Sequence, residues 1–73
     1  MSLIKIPRAA YEGILAVRET GRTNMFDRPM VQVIANELEF YATVLWLEDN
    51  PKEYGLGIIR GFDPVDEPAK GGA

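Results

Sequence analysis

Three arginines and an asparagine gathered around one turn are the side chains best placed to do chemistry in this chain. Arg22 and Arg28 lie within the run Gly21-Arg22-Thr23-Asn24-Met25-Phe26-Asp27-Arg28-Pro29-Met30, and Arg18 stands just before it. Here the residue choices are more specific than an amphipathic pattern needs. A helix start follows directly, and its free amides and dipole favour anions. The chemistry on offer is therefore binding, of a small phosphate-bearing ligand or a carboxylate, by Arg18, Arg22, Asn24 and Arg28. The plainer reading weighs more: Asp27 fills the helix start, Asn24 bonds local backbone, and the arginines are solvated or paired with Glu19.

A second set is acidic. Glu37, Glu39, Glu48, Asp49 and Glu53 carry the residue types of a carboxylate pair or a magnesium site, but charge on the outer faces of short helices explains them more simply. Cysteine and histidine are both absent. That removes disulfides, the usual zinc sites, thiol nucleophiles and imidazole acid–base catalysis. No glycine-rich phosphate loop or nucleophile motif stands in the chain. The expectation is a protein that is not an enzyme and uses no cofactor or metal.

The elements that position these residues follow from periodicity and caps. Pro7 is placed to open a helix over Arg8 to Thr20, with Ala10, Tyr11, Ile14, Leu15 and Val17 on one face and Gly21 to end it. Gly13 weakens that helix by about 1 kcal/mol relative to alanine. Asp27 and Pro29 start a second helix, with Phe26 and Val31 at the spacing of a hydrophobic staple and Met30, Val33, Ile34 and Leu38 continuing its inward face. Between Leu38 and Phe40 there is no strong breaker, so the next run continues that helix or kinks into a third. Phe40, Tyr41, Val44, Leu45, Trp46 and Leu47 cover most of its circumference, and a helix apolar all round needs burial on all sides.

Asn50-Pro51-Lys52-Glu53 reads as a fresh helix start, with Asn50 as cap and Glu53 reaching back to it. From Tyr54 to Arg60 the pattern supports two structures. Helix is favoured, while the alternation of Tyr54, Leu56 and Ile58 with Gly55 and Gly57 also fits a strand, whose mate would be Leu3-Ile4-Lys5-Ile6. The expected fold is mostly α, a bundle of three to four short helices with a minor two-stranded β element from the N-terminal lead and residues 54–60 as the variant. Residues 1–62 form one domain, and the proline-, glycine- and charge-rich residues 63–73 form a mobile tail.

Composition limits the partners. The chain has 73 residues, 47% of them hydrophobic, and a net charge of −3. One small core leaves only a few kcal/mol of net stability at this length, so self-association is the support left open. Net negative charge disfavours non-specific nucleic-acid binding. Up to Met30 the balance is positive and beyond it negative, a polarity that solvated faces explain more simply than a basic patch. No apolar run reaches the roughly 18 residues of a membrane span. With no signal-peptide pattern at the N-terminus, a soluble intracellular protein is the default.

From Tyr11 to about Phe62 the chain resembles a family of small proteins of unknown function encoded mainly by bacteriophages and prophages. The matching residues are Ile14-Leu15-Ala16-Val17-Arg18, Gly21, Thr23-Asn24-Met25-Phe26-Asp27, Val31 through Glu37, Phe40-Tyr41 and Lys52-Glu53-Tyr54. Two departures stand out: the family tends to have glycine where Glu39 stands and larger residues where Gly55 and Gly57 stand. The resemblance implies phage origin, an α-helical domain and a place in the bacterial host cytoplasm; it implies no activity. Together with the surplus apolar surface it points to a homo-oligomeric accessory protein that binds and modulates a host factor, in counter-defence for example. Phe26, Tyr41 and Trp46 are the interface candidates, with core burial weighing as much for the last two. A nucleic-acid regulator, built on a loose helix-turn-helix from Asp27 to Leu47, and a binder of a small anion are the alternatives.

Overall fold

The computed structural model describes residues 2–66. Within them the chain runs β1 (Ile4–Pro7), α1 (Arg8–Thr20), α2 (Arg28–Glu37), α3 (Tyr41–Asp49), α4 (Pro51–Arg60) and β2 (Phe62–Val65). The fold is mostly helical, with a small parallel sheet formed by the first and last elements. Ile4 pairs with Phe62 and Ile6 with Pro64, so the whole helical bundle is the crossover between two adjacent strands.

Local signals set the helix limits. Gly21 ends α1 in the left-handed conformation, φ 65°, with its amide bonded to the Arg18 carbonyl. The Asp27 carboxylate accepts from the Met30 amide at 3.3 Å, and Pro29 occupies the first turn of α2. The expected staple does not form, because Phe26 remains 64% exposed while Val31 is fully buried. Met25 packs on the core instead.

The α2–α3 break is sharp. Glu39 takes φ 67°, its amide bonds the Asn36 carbonyl, and the Phe40 amide bonds the Ala35 carbonyl. That is the Schellman ending, which normally favours glycine at the left-handed residue. Glu39 tolerates it at a steric cost, and Phe40, the residue after it, turns back onto the core.

Asn50 caps in the opposite sense to the expectation. Its side chain makes no bond to α4; its amide and its Nδ2 both donate to the Trp46 carbonyl, at 2.9 and 3.0 Å. Asn50 is the single residue between α3 and α4, and it closes the open carbonyl end of α3.

The core joins Ile6, Ala10, Ile14 and Val17 to Val31, Ile34, Ala35, Leu47 and Tyr54. The inward face of α2 is thus Val31, Ile34 and Ala35, whereas Met30, Val33 and Leu38 are 42%, 50% and 38% exposed. Gly13 lets α1 and α3 approach: a β-carbon there would overlap Thr43 Oγ1 and the Phe40 β-carbon. Across this crossing the buried Thr43 hydroxyl donates to the Ala10 carbonyl at 2.8 Å.

The second β-strand is Phe62–Val65, where a mobile tail was expected from residue 63, and residues 54–60 are helical. Phe62 is the reason. Its ring lies 5.8 Å from that of Tyr11, 6.2 Å from Trp46 and 6.0 Å from Tyr54. It also lies against Gly57, where a β-carbon would strike the ring. An exposed Arg8–Asp66 ion pair, 2.8 Å, follows the strand. The rest of the expected tail, residues 67–73, lies outside the described residues.

Candidate binding surface

The three arginines that are neighbours in sequence go to three different surroundings. Arg22 Nη1 donates to Glu37 Oε1 at 2.8 Å, both side chains half exposed. Its partner is therefore the far end of α2 and not Glu19. Arg28 Nη1 donates to Gln32 Oε1 at 2.6 Å, one turn further along α2. Arg18 has no side-chain partner among the described residues and stands at a hollow between α1 and the α4–β2 corner. Asn24 closes a local turn, its Oδ1 accepting from the Phe26 amide at 2.8 Å. Asp27 already occupies the start of α2. The set Arg18, Arg22, Asn24 and Arg28 accordingly does not converge on one anion.

The structure instead assembles a groove between α2 and α3, of about 430 Å³. Gln32, not singled out by sequence reasoning as a site residue, is its centre. Its Nε2 donates to the Val44 carbonyl at 3.2 Å and to Glu48 Oε1 at 2.8 Å, while its Oε1 takes the Arg28 guanidinium. Arg28, Gln32 and Glu48 thus form a polar chain across the two helices, with cation and carboxylate at opposite ends. The i,i+4 spacing of Arg28 and Gln32 was legible; the reach to Glu48 needed the α2–α3 packing.

Apolar side chains accompany this chain. Val33 and Val44 line the groove, and Leu45 follows Val44 on α3. Leu45 is 66% and Tyr41, one turn before it, 56% exposed. Trp46 points the other way, half-buried with its ring steeply inclined to that of Phe62. Phe26 stands exposed at the entry to α2. Of the aromatic interface candidates, Phe26 and Tyr41 face solvent and Trp46 joins the core. No group of three or more acidic side chains among the described residues is placed to hold a metal ion, and no helix among them is long and apolar enough to cross a membrane.

Among the described residues one titratable group is strongly shifted. Burial pushes the Tyr54 hydroxyl up to about 12. That hydroxyl donates to the Met25 carbonyl and ties α4 to the arginine-bearing turn. Its role is structural, since it faces a backbone carbonyl inside the fold.

The chain belongs to the family described as a domain of unknown function (DUF5049), which matches residues 8–61. The matched span holds all four helices and stops one residue short of Phe62, leaving both strands outside it. Comparison with curated proteins and with solved structures gives no match.

Proposed function

We propose that this protein acts by binding another protein through the α2–α3 face, as a phage-type accessory module that modulates a bacterial host factor. The observation that carries the reading is the exposure of Val33 (50%) in the α2–α3 groove and of Tyr41 (56%) and Leu45 (66%) on α3, beside its Val44. Single exposed apolar residues are ordinary, but several beside one groove with a polar chain across it have the make-up of an interface: apolar anchors and a few oriented polar groups. Tyr41 and Arg28 are of the types enriched among residues that dominate binding energy. The phage assignment rests on the sequence resemblance, and self-association is assigned to this same face.

Nucleic acid fits less well. Glu37, Glu48 and Asp49 are exposed on α2 and α3, where a phosphate backbone would be repelled.

The test compares the wild-type chain with a Tyr41→Ala/Leu45→Glu variant. Light scattering reads self-association, and quantitative capture from a bacterial lysate reads host partners. A species bound by the wild type and lost in an equally stable variant supports the proposal. A monomeric wild type with no variant-sensitive partner sinks it.

A further inference from the structure

We infer that the hollow between α1 and the α4–β2 corner is a binding site for a small organic monoanion with an apolar body, held by Arg18. The site is separate from the α2–α3 face, so either assignment stands or falls without the other.

The hollow has a volume of about 350 Å³ and opens to solvent along one side. That is the small end of the range of about 300–1,000 Å³ found for small-molecule sites. The rings of Tyr11 and Phe62 and the side chains of Ile14, Leu15 and Ile58 make its walls.

Charge selects the ligand. Among the described residues of the lining, Arg18 is the one with a formal charge, and none is a carboxylate. Arg22 and Arg28 each direct one Nη1 to Glu37 and Gln32, whereas the Arg18 guanidinium has no partner among the described residues. A guanidinium offers a planar fork that pairs bidentately with a carboxylate, and pairing beside apolar walls is screened less than in open water. A cation would meet repulsion and no compensating acid. A neutral apolar molecule would gain the walls but not the fork.

The walls are held before any ligand arrives. Phe62 is fixed by three aromatic neighbours and by the bare face of Gly57. Met25, at the other end, is fixed through its carbonyl by the Tyr54 hydroxyl. A ligand therefore orders little beyond the Arg18 side chain, which keeps the entropic cost of binding low.

Phenylacetate, phenylethanol and phenethylamine serve as anionic, neutral and cationic probes of one shape. They are titrated into the full chain and followed by amide chemical shifts. Phenylacetate is expected to saturate, with shifts confined to Tyr11–Arg18, Met25 and Gly57–Phe62. Affinity should fall about tenfold or more for phenylethanol and for the Arg18→Gln variant, one charge-assisted hydrogen bond's worth. Phenethylamine should not bind. Arg18→Gln keeps the helix ending, because only the Arg18 carbonyl takes part in it. Leu15→Trp, at a position 37% exposed, should abolish binding by filling the hollow. Shifts that do not saturate or that centre on α2–α3, equal affinity for the alcohol, or an unaffected Arg18→Gln variant would overturn the assignment.

Discussion

Phe62 opens β2 and Tyr41 opens α3; both are large aromatic residues, and the fold treats them oppositely. Phe62 meets three other aromatic rings, while Tyr41 is 56% exposed. The difference is the returning strand. β2 comes back beside β1 and lays Phe62 over α1, α3 and α4, but no described element returns to cover the α2–α3 face. For these two aromatic residues it is the route of the chain, and not residue type, that separates core from surface.

The largest break in that contrast would come from removing the cover. Phe62→Ala deletes the ring from the aromatic cluster and should cost about 3 kcal/mol, measured by denaturant unfolding. A loss below about 1 kcal/mol would mean that β2 does not hold the corner together.

The two glycines of α4 sharpen the contrast within one helix. Gly57→Ala drives a β-carbon into the Phe62 ring, which its neighbours prevent from moving aside; about 1–3 kcal/mol of destabilisation is expected. Gly55 has nothing within 4 Å of its β position. Gly55→Ala should therefore stabilise, by up to about 1 kcal/mol, through helix propensity alone. Equal thermal shifts for the two variants would contradict the packing assigned to Gly57.

Tyr54 gives the closed side a pH signature. Its hydroxyl titrates near 12 when folded, against about 10 in the unfolded chain. Above pH 10 the unfolded state loses this proton first, so stability is complete below about 10 and falls toward 12, by up to about 2 kcal/mol. Tyr54→Phe should lose about 1 kcal/mol at neutral pH, with the bond to Met25, and flatten that part of the alkaline decline. An unchanged decline in the variant would place the sensitive group elsewhere.

On the open side the effect on folding should be the smallest. Leu45→Glu is expected to change stability by no more than about 0.5 kcal/mol, because the side chain is already 66% exposed. A loss of several kcal/mol in a monomeric protein would show that this face is part of the core after all.

The helices were readable because their signals are short-ranged. Asp27 needs only the amide of Met30, and Gly21 only the carbonyl of Arg18. The second strand was not readable, because Asp63-Pro64-Val65 has the composition of a tail and becomes a strand only beside Ile4–Pro7. Gly57 looked like a weak helix residue until Phe62 explained its missing side chain. The arginines looked like one cluster because they are close in sequence. Their partners, Glu37 and Gln32, are supplied by α2, and helix geometry sends Arg18 to another face.

By itself the sequence determined the helical class, the start and stop of the first helix, the start of the second, and the absence of thiol and imidazole chemistry. Capping and periodicity act within one or two turns, so the residues that decide them are adjacent. Only the tertiary structure decided which apolar faces are covered, which partners Arg22 and Arg28 take and where the grooves lie. Those outcomes depend on contacts between segments far apart in the chain, such as Ile4 with Phe62 and Ala10 with Thr43. Burial is non-directional and goes to whatever surface the chain brings near, so no local pattern could specify it.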